Sequence, residues 1–235
     1  MRFQQYIMEL GGQSAGKVEF ADTSLEDAHK FIDSVKNKKL DIDKDLPDFD
    51  KNFMDAQKKA KKGWTKRDEM PVIERKDVKK LQARLESGKI DINKPLAKDT
   101  DPKHPFPTGL SGFEAKKFLK RGLTDGSVTD DQIDVELAQV KIKDLKPIQR
   151  QIYFDTGFGR TVEDGLKVSL NFIKKKSLFV INKENYILDG HHRFLSAMLI
   201  DPNMSVFALQ IDLPLKKVLP LTVAYSDAIG NKRNA

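Results

Sequence analysis

The chain predicts an α+β fold: a small mixed sheet with helices in the C-terminal part, preceded by a mainly helical N-terminal region. An apolar run at 186–188 that ends in Asp-Gly predicts a strand. Apolar residues spaced as on one helix face at 24–39, 76–88 and 194–200 predict the helices. Between the two patterns lies an irregular stretch with Pro102, Pro105, Pro107 and Gly109. That stretch divides the chain into a leader and small-residue segment (1–16), a lysine-rich helical region ending in the Pro-rich linker (17–109), a connecting helix (110–130), a mixed domain (131–225) and a polar tail (226–235).

Composition narrows the classes. With 235 residues, 39% of them hydrophobic, the chain can bury one good core and a second small one. No run reaches the roughly 18 apolar residues of a membrane span, which argues against a membrane partner. Cysteine is absent, which excludes disulfides and thiolate metal sites and fits an intracellular protein. The net charge of +7 permits nucleic-acid binding, and the excess is divided almost evenly between 1–130 and 131–235. Any contact with a polyanion must therefore come from local patches.

Met1 to Glu9 forms a short amphipathic pattern with Phe3, Tyr6 and Ile7 on one face, broken by Gly11-Gly12-Gln13-Ser14-Ala15-Gly16. It reads as an N-terminal helix of the fold. It also resembles the capsid-targeting leaders of internal head proteins of large tailed phages, which are cut after a glutamate, and Ile7-Met8-Glu9 fits that pattern. That resemblance implies cleavage after Glu9, a partner in the phage capsid interior reached through residues 1–9, and packaging in a phage head after synthesis in the host cytoplasm.

Ser24 is the expected N-cap of a helix over 24–39, with Glu26 and Asp27 in its first turn and Lys36 to Lys39 at its end. Asp41 to Pro47 follows as an extended or turn segment. Residues 76–96 repeat this layout, with Asp27/Asp77, Lys30/Lys80, Lys39/Lys89, Asp41/Asp91, Ile42/Ile92, Lys44/Lys94 and Leu46/Leu96 identical. The alternating aspartates lack the glycine and distal glutamate of a calcium loop and read as a solvated turn. Between the copies, Lys58, Lys59, Lys61, Lys62, Lys66 and Arg67 surround Trp64, the only tryptophan. Such a run either forms a wet helix face or tracks a phosphate backbone while the indole stacks a base. The connecting helix, from Gly112 to Gly122, carries Lys116, Lys117, Lys120 and Arg121.

The centre of the C-terminal part is Tyr186-Ile187-Leu188-Asp189-Gly190-His191-His192-Arg193, which leads into Phe194 to Ile200. An apolar run ending in Asp-Gly and continuing at once with helical spacing predicts strand, tight turn and helix, with Asp189 or Gly190 as N-cap. The first amides of such a helix, with the positive end of its dipole, form an anion site. Two imidazoles and a guanidinium add donors and groups that titrate near neutrality. Gly190 lets a phosphate approach the backbone closely.

Asp189-Gly190-His191-His192-Arg193 resembles the signature turn of the ParB/sulfiredoxin-like superfamily, whose members include CTP-binding partition proteins, sulfiredoxins, kinases acting on free serine and ParB-like nucleases. The resemblance extends to Val135–Val140 with Lys146-Pro147-Ile148-Gln149-Arg150, to a helix over 162–174, and to the hairpin from Leu178 to Leu188. It covers roughly residues 131–225. Partition proteins carry Gly-Glu-Arg-Arg where this chain has Gly190-His191-His192-Arg193, and sulfiredoxins need a cysteine that is missing here. The latter excludes sulfinic-acid repair.

The resemblance implies phosphate binding by Gly190, His191, His192, Arg193, Gln149 and Arg150. His191, His192, Glu163 and Asp189 are then the expected catalytic groups, with Asp164 beside Glu163 as a second candidate base or magnesium ligand. Glu163 and Asp164 equally suit an ordinary first helical turn, and Asp189 equally suits a cap. The leading expectation is a DNA-binding protein that hydrolyses phosphodiesters with Mg2+ or another divalent cation. The alternatives are a phosphotransferase using a nucleotide (ATP, ADP or CTP) and a non-catalytic nucleic-acid or nucleotide-binding phage protein.

Overall fold

A computed structural model describes residues 18–90, 92, 117–120 and 126–232. Residues 1–9 and most of the Pro-rich stretch and connecting helix lie outside them. Within the described residues the chain is α+β, with helices leading and a small mixed four-stranded sheet in the C-terminal half. Two compact units are each assembled from separated segments. The first comprises 18–63, 140–177 and 190–206; the second comprises 64–139, 178–189 and 207–232 as far as they are described.

In the first unit, α1 spans Leu25–Ser34, a single turn α2 spans Ile42–Asp45, and α3 spans Phe49–Ala60. Ser24 caps α1 as expected, its hydroxyl accepting the Asp27 amide at 3.0 Å. The helix ends at Ser34, short of the expected Lys39, because Val35 is extended and Asn37 turns left-handed at φ 54°. The aspartates of the following segment are used locally: Asp41 accepts the Lys44 amide, and Asp45 accepts the Asp41 amide at 3.0 Å. They cap a turn. In the second half of the repeat only Ile92 of the arm Asp91 to Leu96 is described, so the comparison rests mainly on α1 and α4, which spans Arg75–Glu86.

Six phenylalanines cluster in this unit. Phe20 meets Phe53 edge-on at 4.9 Å, Phe154 meets Phe31 at 5.5 Å and Phe158 at 5.8 Å, and Phe158 meets Phe49 at 5.5 Å. Each such pair contributes roughly 0.5–1.5 kcal/mol beyond the area it buries. Helix α3 also packs on the helix His191–Ile200, where the Asn52 side chain donates to the Leu199 carbonyl at 3.4 Å.

The second unit holds most of the sheet. Strands β1 (Val135–Lys141), β2 (Phe179–Asn182), β3 (Ile187–Asp189) and β4 (Ser205–Ile211) run in the order β1-β4-β2-β3. The hairpin β2–β3 is antiparallel, whereas β2 pairs in parallel with β4 from Phe179↔Ala208 to Asn182↔Ile211. Parallel pairing demands a long crossover, and the chain supplies it through β3 and the helix at 191–200. All four residues of β2 are buried, which explains its uninterrupted apolar reading. The C-terminal helix Leu215–Ala228 is fastened by Ser226, whose hydroxyl accepts the Val72 amide and donates to the Val72 carbonyl, both at 3.0 Å.

One expected element is broken. The helix predicted over 162–174 is a succession of α5 (Arg160–Asp164), α6 (Leu166–Asn171) and a wide π turn over Phe172–Lys176. Gly165 makes the break at φ 87°, where a side chain would press to 3.3 Å from the Lys39 carbonyl and Cβ. A second π turn, Asp155–Gly159, precedes α5.

Candidate functional site

Gly190 is the N-cap of helix α7 (His191–Ile200), and its φ of 119° is a conformation that side chains rarely adopt. The first intrahelical bond runs from the Phe194 amide to the Gly190 carbonyl at 2.8 Å, so the amides of residues 191–193 precede the ladder. The strand, turn and helix form as the sequence predicts. The side chains of that turn then divide.

His191 is buried, and its Nε2 accepts the backbone amides of Ile148 and Gln149, each at 3.2 Å. A nitrogen that accepts two amides carries no proton, so the ring is neutral with its hydrogen on Nδ1. Burial, with the neighbouring His192 and Arg193 charges adding to it, holds the imidazole well below its ordinary range. His191 therefore holds a loop, and its Nε2 is occupied by the two amides of that loop.

His192 makes the same kind of bond one step along: its Nε2 accepts the Tyr153 amide at 3.2 Å, and the two rings lie 6.0 Å apart. The two histidines together fasten the segment from Ile148 to Tyr153. Gln149 in that segment is buried, its amide donating to the Gln151 carbonyl at 2.5 Å. Arg150 is turned to the carboxylates of Glu19 and Asp22 at 3.1–3.3 Å, which favour its charged form. The loop residues expected to bind phosphate are thus engaged with their own surroundings.

The open space lies on the other flank of α7. A cleft of about 420 Å³ is walled by the π turn at 155–159, by α5 and α6, and by the face of α7 bearing His192, Arg193 and Ser196. Its cations are Arg160 and Arg193, and Asp164 is the carboxylate in its lining. Thr161 and Ser196 join across it at 2.9 Å. Val168 and Phe172, 54% and 47% exposed, supply apolar wall. Close approach of the walls depends on Gly157, where a Cβ would come within 2.7 Å of the Leu195 side chain. Both π turns border this space, a placement common at functional sites.

Of the expected site residues, His192 and Arg193 reach this cleft, as does Asp164. Glu163 is exposed and outside its lining, Asp189 ends β3 paired with Val180, and Gly190 is buried. Arg160, Thr161, Ser196 and Phe172 were not singled out by the sequence reading. The helical spacing of Arg160, Asp164 and Val168 is a signal for a shared face, as is that of Arg193 and Ser196.

The basic run divides as well. Lys58 lies 3.8 Å from Asp55, Lys59 donates to the Leu145 carbonyl at 3.1 Å, and Lys61 and Lys62 are exposed. Trp64 is half-buried, Lys66 exposed and Arg67 half-buried, and these three belong to the second unit.

Among the described residues no three of histidine, aspartate and glutamate come together to hold a metal. The donor set of the cleft, with Asp164 alone as carboxylate, does not make a protein cage for magnesium. No helix among them is long and apolar enough to cross a membrane. No protein-family model, curated protein or solved structure matches the chain.

Proposed function

We propose that this chain binds a nucleotide in the cleft beside α7, its phosphates on Arg160 and Arg193 and its ring system against Phe172 and Val168. The observation that carries this reading is the presence of two guanidiniums, from α5 and α7, in one cleft with a half-exposed aromatic ring. Guanidinium forks suit phosphate oxygens, and a flat apolar wall suits a base. The volume lies in the range of small-molecule pockets. The ParB/sulfiredoxin-like reading of residues 131–225 points to the same ligand class.

Calorimetric titration with ATP, ADP and CTP tests it. Saturable heat with at least one of them is expected, and Arg160→Ala or Arg193→Ala is expected to weaken it about 10–100-fold, the loss of a charged hydrogen bond. Absence of heat with every nucleotide overturns the proposal.

Phosphodiester hydrolysis is the second reading, favoured by the presence of Asp164 in the same cleft as the two guanidiniums. Plasmid nicking with Mg2+ or Mn2+ that disappears in Arg193→Ala supports it. Nicking that persists in the variant refutes it. The capsid-leader reading of residues 1–9 rests on Ile7-Met8-Glu9. A virion-derived mass that retains Met1 to Glu9 would sink it.

A further inference from the structure

We infer that a second phosphate-directed surface, separate from the cleft, lies where the C-terminal end of α3 meets the segment after β1, and that Lys62 and Lys146 there, on segments tied together by Lys59, receive the backbone of duplex nucleic acid. All three belong to the first unit. The Lys59 ammonium donates to the Leu145 carbonyl at 3.1 Å, which ties the last turn of α3 to the residue beside Lys146. Gly63 sets the closeness of this junction: a Cβ there would fall 2.8 Å from the Arg150 nitrogen and the Gln149 carbonyl. The chain leaves α3 flush against that backbone.

Lysines far apart in sequence are thereby brought into one field. Half-burial holds the Lys59 ammonium below its ordinary range, Asp144 and Asp55 raise it, and Lys62 and Lys146 lower it further. Asp55 is shared with Lys51 and Lys58, at 4.0 and 3.8 Å. Lys62 and Lys146 are both exposed.

Ammonium groups are compact point charges without the directional fork of arginine, and they suit sequence-independent contact with phosphates. A nucleic-acid backbone offers a row of such charges, and its condensed counterions are released on binding. This surface differs in composition from the continuous run 58–67, because it includes Lys146 and does not require Trp64.

The test is fluorescence anisotropy of a labelled mixed-sequence duplex across a salt series, with the full chain and with Lys62→Ala/Lys146→Ala. Binding steep in salt is expected, with the double variant at least tenfold weaker and its log K against log salt slope shallower by about two. An unchanged melting temperature in the variant guards against misfolding. Nucleotide titration of the same variant is expected to match the wild type, which separates this surface from the cleft. Failure to bind duplex at low salt, or equal binding by the double variant, overturns the inference. Displacement of the duplex by polyglutamate at equal charge would also overturn it, since an acidic protein would then be the better partner.

Discussion

Two flanks of the same helical turn meet opposite fates. On one flank, His191 and His192 give their Nε2 atoms to three backbone amides of the segment 148–153. On the other, Arg193 and Ser196 face a cleft shared with Arg160 and Phe172, and His192 also reaches its lining. The conspicuous residue types are mostly spent on fastening the loop, and the space for a ligand is walled largely by less conspicuous ones. The lesson is that the chemical capability of a side chain is spent by its nearest strong partner. A buried amide needs an acceptor as much as a substrate does.

Separating the two flanks by mutation gives the largest expected effect at His191. His191→Ala strands two buried amides, each costing roughly 1–3 kcal/mol, so urea unfolding should show a loss of about 2–6 kcal/mol. An unchanged midpoint would remove the fastening role. Arg160→Ala should do the reverse: nucleotide binding falls by about 1.5–3 kcal/mol while stability stays within about 0.5 kcal/mol. Loss of stability comparable to that of His191→Ala would erase the contrast.

Gly165→Ala comes next, because the residue sits at φ 87° with Lys39 Cβ and O both 3.3 Å from the added atom. A cost of about 1–2 kcal/mol is expected in thermal unfolding, with weaker ligand binding as the α5–α6 wall shifts. A neutral result would show that the wall is soft.

The pH dependence sharpens the comparison further. His191 is held below its ordinary range in the fold, so the unfolded chain takes up its proton first as pH falls. The stabilisation is complete above the unfolded value of about 6.5 and is lost progressively below it. Denaturant midpoints from pH 7.5 to 5 should fall in the wild type and fall less in His191→Asn. Identical slopes would place the titrating group elsewhere. The smallest effect belongs to Glu163→Gln, which should leave nucleotide binding and stability within about 0.5 kcal/mol, since the side chain is exposed and outside the cleft lining.

Much of the local structure was legible in the residues themselves. Ser24 announced a helix start, Asp-Gly announced the turn into α7, and the apolar run before it announced β3. Gly165 carried the signal for the broken helix, but helical spacing on both sides of it masked the break. The cleft was harder to see. Arg160 and Arg193 lie far apart in sequence, and neither has a short-range pattern that points to the other.

By itself the sequence determined the fold class and the strand-turn-helix at 187–200. These depend on dihedral preferences, caps and hydrophobic spacing, which act over a few residues. Only the tertiary structure decided that His191 points inward to the loop at 148–149 and that Arg193 borders a cleft. It also brought Lys146 into the field of Lys59. Burial and partner choice depend on segments brought together by packing, and no local pattern encodes which amide will lie within reach of which ring.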